Sequence, residues 1–125
     1  MRGIGKIRRM GTLFVDVDLR IAEYAREQYY KIKKLGFELN RPIRFEHITI
    51  IPHHILKDIP HKAYIGLEVE FEVLNQFKCD GGSVWALVKY PLAERIREVY
   101  NLRNQHPLHI TIGNFKHKQE EIIAF

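Results

Sequence analysis

The tetrapeptide His-Ile-Thr-Ile stands twice in this chain of 125 residues, at His47–Ile50 and again, 62 residues on, at His109–Ile112. Successive side chains of a strand point to opposite faces. In each copy the two isoleucines therefore share one face, and the histidine and threonine share the other. Ile48 with Ile50, and Ile110 with Ile112, are expected in the core. His47 with Thr49, and His109 with Thr111, are expected together on the opposite side. The chain has only three threonines, Thr12, Thr49 and Thr111, and the motif takes two of them. A spacing of half the chain predicts two similar halves facing one another, since a solenoid needs more units.

The flanking pattern agrees with such halves. Leu13, Val15 and Val17 alternate with Phe14, Asp16 and Asp18, which predicts a strand over 12–18, followed by a helix over 19–35 that stops at Gly36. A strand over 44–51 closes at Pro52, and a polar loop runs through HHILKDIPHKAY. Leu67, Val69, Phe71 and Val73 then alternate with Glu68, Glu70 and Glu72, predicting a half-buried strand with an acidic outer face. Asp80-Gly81-Gly82 predicts the turn of a hairpin into SVWALVKY, and Pro91 opens a helix through PLAERIREVYNL. LHITIGNF is the last strand. The expectation is one α/β (α+β) domain over residues 1–125.

Two histidines facing a common phosphate can divide acid–base work between them. Cleaving a phosphodiester needs a base for the attacking oxygen and an acid for the departing one, and imidazole, with a pKa of about 6.5, serves either way near neutrality. Threonine hydroxyls can donate to the non-bridging oxygens, where charge gathers in the transition state. The spacing does not say which histidine is which.

With these residues in view, the sequence resembles the 2H phosphoesterase superfamily, named for two H-x-[ST]-x motifs. TLFVDVDL and the helix after it are similar to the opening of the bacterial RNA 2′,5′-ligase/cyclic phosphodiesterase branch. VEFEVLNQFKCDGGSVWALVKY resembles that branch's later hairpin, and PLAERIREVY the following helix. The resemblance implies a bilobal fold with two antiparallel sheets lining a central cleft and helices outside. It implies His47, Thr49, His109 and Thr111 as the catalytic set, and a nucleotide or RNA substrate with a cyclic or 2′–5′ phosphate.

Other chemistries fit less well. Asp16 and Asp18 resemble the DxD strand of haloacid-dehalogenase-type phosphatases, but only Asp58 and Asp80 remain to help hold Mg²⁺. His53, His54, His61, His106 and His117 lack a helical zinc-ligand setting. No phosphate-binding loop or nucleophile elbow is present. Neither a metal nor a cofactor is expected. A net charge of +5 favours anionic partners. Tyr64 and Tyr90, near strand ends, are candidates to stack on a base and Lys89 to meet a phosphate, whereas Trp85 and Phe115 are assigned to core packing. One cysteine and no long apolar run predict a cytoplasmic protein without disulfide or membrane span, monomeric by default. A nucleotide- or RNA-binding module using the same cleft without turnover is the alternative.

Overall fold

Two glycine turns open the two halves of the molecule. In the computed structural model, which describes residues 1–34, 38–42, 46–56, 60–102 and 106–115, Gly11 turns β1 (Arg2–Met10) into β2 (Thr12–Asp16). Gly81 and Gly82 turn β4 (Glu68–Asp80) into β5 (Ser83–Lys89). Gly11 and Gly82 have φ of 74° and 86°, a left-handed backbone that glycine adopts without steric cost. Each hairpin leads into a helix. α1 (Leu19–Lys33) starts where the Asp18 carboxylate accepts the Arg20 backbone N–H at 2.8 Å, a side-chain N-cap. α3 (Pro91–Val99) starts with Pro91 in the first turn. Each helix leads to a HITI strand, β3 (His47–Ile51) or β6 (His109–Asn114), and the short helix α2 (His53–Leu56) follows β3.

The duplication reaches well past the tetrapeptide. Gly11 and Gly82, Ala22 and Ala93, and Arg26 and Arg97 are each 71 residues apart and occupy matching places in their halves. Ala22 and Ala93 are both fully buried. The connection from helix to HITI strand is shorter in the second half, so the motif itself repeats at 62.

The six strands form one antiparallel sheet in the order β1-β2-β3-β6-β5-β4, and pairing of β1 with β4 closes it into a barrel. The protein is thus a mixed α+β fold, and its strands are continuous around one barrel where two separate sheets were expected. The two halves meet twice, at β3–β6 and at β1–β4. Ile48, Ile50, Ile110 and Ile112 are all 0% exposed and join Ile7, Leu13, Val15, Val84 and Ala86 in one core. Burying each such isoleucine contributes about 1.5–3 kcal/mol. Ala25 of α1 and Ile96 of α3 enter the same core. α1 packs against β4 and β6, and α3 against β3, so each helix reaches the other half's HITI strand. Among the described residues no helix is long and apolar enough to cross a membrane.

β1 is not visible in the sequence pattern, because Gly3 and Gly5 replace the apolar residues that would mark its inner face. The structure explains both glycines. A Cβ at Gly3 would stand 2.5 Å from the Phe71 ring, and one at Gly5 would run into the main-chain carbonyl of Asp16 and the Val15 side chain. Gly5→Ala is therefore expected to cost about 1–3 kcal/mol by overpacking, seen as a lower thermal midpoint. An unchanged midpoint would mean that β1 does not lie this close to β2.

Other boundaries also differ from expectation. Among the described residues of HHILKDIPHKAY are α2 and a 3₁₀ turn at Lys62–Tyr64. Leu67 precedes β4 and is 44% exposed, whereas Val69, Phe71 and Val73 are buried as the alternation requires. α1 gives way to Lys34 in the left-handed region, and Leu35, Gly36 and Arg44 lie outside the described residues. The acidic face of β4 meets basic β1, with Lys6 opposite Glu68 and Arg2 opposite Glu72.

Candidate functional site

β3 and β6 are paired antiparallel through Ile48 and Ile110, the equivalent residues of the two HITI copies. Equivalent residues pair with each other only on a local two-fold axis. One step either way along this register sets His47 opposite Thr111 and Thr49 opposite His109. All four side chains sit on the face turned away from the isoleucine core, and all four are half-buried. The two histidines are then diagonal neighbours, a relation that in antiparallel sheets spans roughly 7–8 Å. A phosphate in hydrogen-bond reach of both imidazoles needs a gap of roughly that size.

Each histidine is braced by an aromatic ring from the strand beside it. Phe14 of β2 is opposite Thr49 in register, and its ring meets His47 edge to face at 5.7 Å between centroids. Trp85 of β5 is opposite Thr111, and its indole stacks on His109 at 3.9 Å with only 15° between the planes. Phe14 and Trp85 are again 71 residues apart. The sequence carried a partial signal for both: each is an aromatic residue on the outer face of its strand, between Thr12 and Asp16 in β2 and beside Ser83, Leu87 and Lys89 in β5. Trp85 was expected to pack in the core; it is buried, but against His109 and outside the core cluster. Phe115 does pack, half-buried, against the core.

His109 is the more tightly held of the pair. Its Nδ1 lies 2.6 Å from the carbonyl oxygen of Pro107. A carbonyl only accepts, so Nδ1 carries the proton and Nε2 of the neutral ring is left with its lone pair. Burial pushes the His109 pKa below the usual imidazole value. The Pro107 hydrogen bond works against that shift, and the positive charges of His106, Arg97 and His47 add to it. His47 is thus close enough for its charge to be felt at His109. His106 meets Trp85 edge to face at 5.0 Å, and the Lys78 ammonium lies 5.8 Å from the same indole. The surroundings of His109 are cationic and favour an anion.

The remaining candidates fall elsewhere. Tyr90 is 1% exposed and belongs to the core, so its ring is not presented to a base. Its hydroxyl finds no partner among the described residues, and burial pushes its pKa up. Tyr64 is half-buried in the 3₁₀ turn and packs against the core, with Tyr100 beside it. Lys89 is exposed on the same face of β5 as Trp85, opposite Glu72, and lines a shallow groove with Arg2 and Glu70. Asp16 is opposite His47 in register and forms an ion pair with Arg8. Among the described residues no three His, Cys, Asp or Glu side chains converge as a metal-binding group, and His117 lies outside those residues.

Compared with models of known protein families, with curated proteins and with solved structures, the chain shows no match. The functional reading rests on the chain's own residues.

Proposed function

We propose that the protein is a phosphodiesterase of the 2H type, acting on a cyclic or 2′–5′-linked nucleotide or RNA phosphate by two-histidine acid–base catalysis without a metal. The observation that carries this reading is the register at Ile48 and Ile110, which sets both His/Thr pairs on one face about a local two-fold axis. Duplicated halves, each ending in a HITI strand, support the 2H-type fold. Packing alone does not call for two titratable groups and two hydroxyls repeated in symmetric places.

The Pro107 hydrogen bond on Nδ1 favours His109 as the base, which leaves the acid's part to His47. Nε2 of His109, neutral and unprotonated, takes the proton from the attacking hydroxyl or water. As the new P–O bond forms, the bond to the departing ribose oxygen breaks, and protonated His47 supplies the proton that this oxygen needs. Thr49 and Thr111 donate to the non-bridging oxygens, and the surrounding cations offset the charge building there.

The test is a panel of 2′,3′-cyclic nucleotides, 2′–5′ oligoadenylate, 3′,5′-cyclic nucleotides and cyclic di- and trinucleotides, with product analysis and EDTA present. Turnover of one class that persists in EDTA is expected. Tight binding without turnover of any class would replace the enzyme by a nucleotide-binding module.

The rate is expected to follow a bell-shaped pH profile, because one imidazole must be neutral while the other is protonated. The acid limb reports protonation of the base. With the His109 pKa pushed down by burial and neighbouring charge, that histidine stays neutral to lower pH, so the acid limb lies on the acid side of about 6.5, the ordinary imidazole value. Rates measured from pH 4 to 9 decide this. A flat profile, or an acid limb displaced to alkaline pH, would count against His109 as base.

A further inference from the structure

Two arginines at matching places in α1 and α3 cross the molecule in opposite directions. Arg97, in the helix of the second half, donates through Nε to the carbonyl of Ile50 at 2.9 Å and through Nη2 to that of Thr49 at 3.0 Å. Both carbonyls belong to β3 of the first half. Its Nη1 donates to the carbonyl of His106 at 2.6 Å, on the segment entering β6. Arg26, in the helix of the first half, donates through Nη1 to the carbonyl of Ile112 on β6 at 3.1 Å. The same nitrogen reaches the Glu46 carboxylate, just before β3, at 2.9 Å. Ile50 and Ile112 are equivalent residues of the two motifs. Each guanidinium therefore takes the last carbonyl of the opposite HITI tetrapeptide together with a group leading into the other strand.

Both side chains are committed to this task. Arg26 is only 3% exposed and also donates to Glu23. Arg97 is buried enough to lower its pKa, with Glu94 on the same helix opposing that shift. A planar guanidinium fork can serve several acceptors in a fixed arrangement, which an ammonium cannot. Among the described residues β3 and β6 pair only at Ile48 and Ile110. Beyond that pair the strands need another link.

We infer that Arg26 and Arg97 are paired positioning residues: crossed clamps that tie the two HITI strands together and fix the separation at which His47 and His109 meet a phosphate. The inference rests on the two-histidine reading above. Neither arginine takes part in the proton transfers. Their effects differ in one respect. His109 is faced by His47 on β3, Arg97 on α3 and His106 on the segment before β6, with Lys78 of β4 over the adjoining indole; Asp16 of β2 is opposite His47. Arg97 acts on the His109 charge as well as on its position, and Arg26 acts on position alone.

The experiment uses Arg97→Lys, Arg97→Gln and Arg26→Lys, with thermal melting, kcat and KM on the best panel substrate, and NMR titration of the His109 imidazole without substrate. All three are expected to lose kcat by about 10–100-fold with little change in KM, since a displacement of about 1 Å can cost 10²-fold. Only Arg97→Gln should move the His109 titration, to higher pH, because it alone removes a positive charge near that ring. Arg97 donates only to uncharged carbonyls, so Arg97→Lys leaves no carboxylate unpaired and decides the matter if Arg26→Lys fails to fold. Wild-type kcat in folded Arg97→Lys would overturn the clamp, as would an unmoved His109 titration in Arg97→Gln. A wild type inert toward the whole panel would instead overturn the two-histidine reading, and the proposal with it.

Discussion

Alanine at either histidine of the HITI pairs is expected to lower kcat by about 10²–10⁴-fold, because each change removes one proton transfer from the transition state. That is about 2.7–5.5 kcal/mol of barrier. The cost to the fold should be far smaller. His47 and His109 are only half-buried and lie outside the isoleucine core, so the losses include the edge contact with Phe14 in one variant, and the stack on Trp85 with the Pro107 hydrogen bond in the other. Such aromatic pairs contribute about 0.5–1.5 kcal/mol. Catalytic and structural effects therefore separate in the same two variants. The double mutant should lose less than the product of the single factors, since acid and base act as a unit. Thr49→Val and Thr111→Val, which keep the branched shape without the hydroxyl, should lose about 10–10³-fold by the same logic as deletion of an oxyanion donor. The measurements are kcat and the urea midpoint of each variant. Folded His47→Ala and His109→Ala proteins with full activity would make HITI a core motif written twice.

What the sequence disclosed of this site was the part written in side chains at fixed spacing. Alternation alone put the four isoleucines of the motifs in the core and the His/Thr pairs on the other face, and burial in the structure follows that division. The braces were half-legible. Phe14 breaks the polar outer face of β2 and Trp85 shares the outer face of β5 with Leu87, but register between strands was needed to say what they touch. Arg26 and Arg97 were not legible, because most of what they hold is main-chain carbonyl, which leaves no pattern in the side-chain sequence. β1 was hidden for a related reason: its inner face is marked by the absence of side chains at Gly3 and Gly5, where neighbouring groups approach too closely for a Cβ. Tyr90 misled in the opposite direction. Its place at a strand end looked open, yet the start of α3 immediately after it carries the ring into the core.

The junction between the two halves offers a test that joins fold to function. Ile48 and Ile110 are each fully buried and are register partners on the local two-fold axis. Ile48→Ala or Ile110→Ala removes most of a buried side chain and leaves a cavity between halves that touch there and at β1–β4. The expected loss is about 2–5 kcal/mol for each, toward the upper end where α3 and β3 cannot collapse onto the gap. The two changes share one cavity, so their sum should not be additive. Ile7→Ala is the matched comparison: Ile7 is equally buried, but it lies on β1, which pairs with neither β3 nor β6. All three variants should lose comparable stability in urea unfolding. Only those at the junction should also lose kcat in the fraction that remains folded, because slack between β3 and β6 alters the gap between the histidines. If Ile7→Ala lowered kcat as much as Ile48→Ala did, the activity would be following global stability, and the two-fold junction would have no special part in placing the acid and the base.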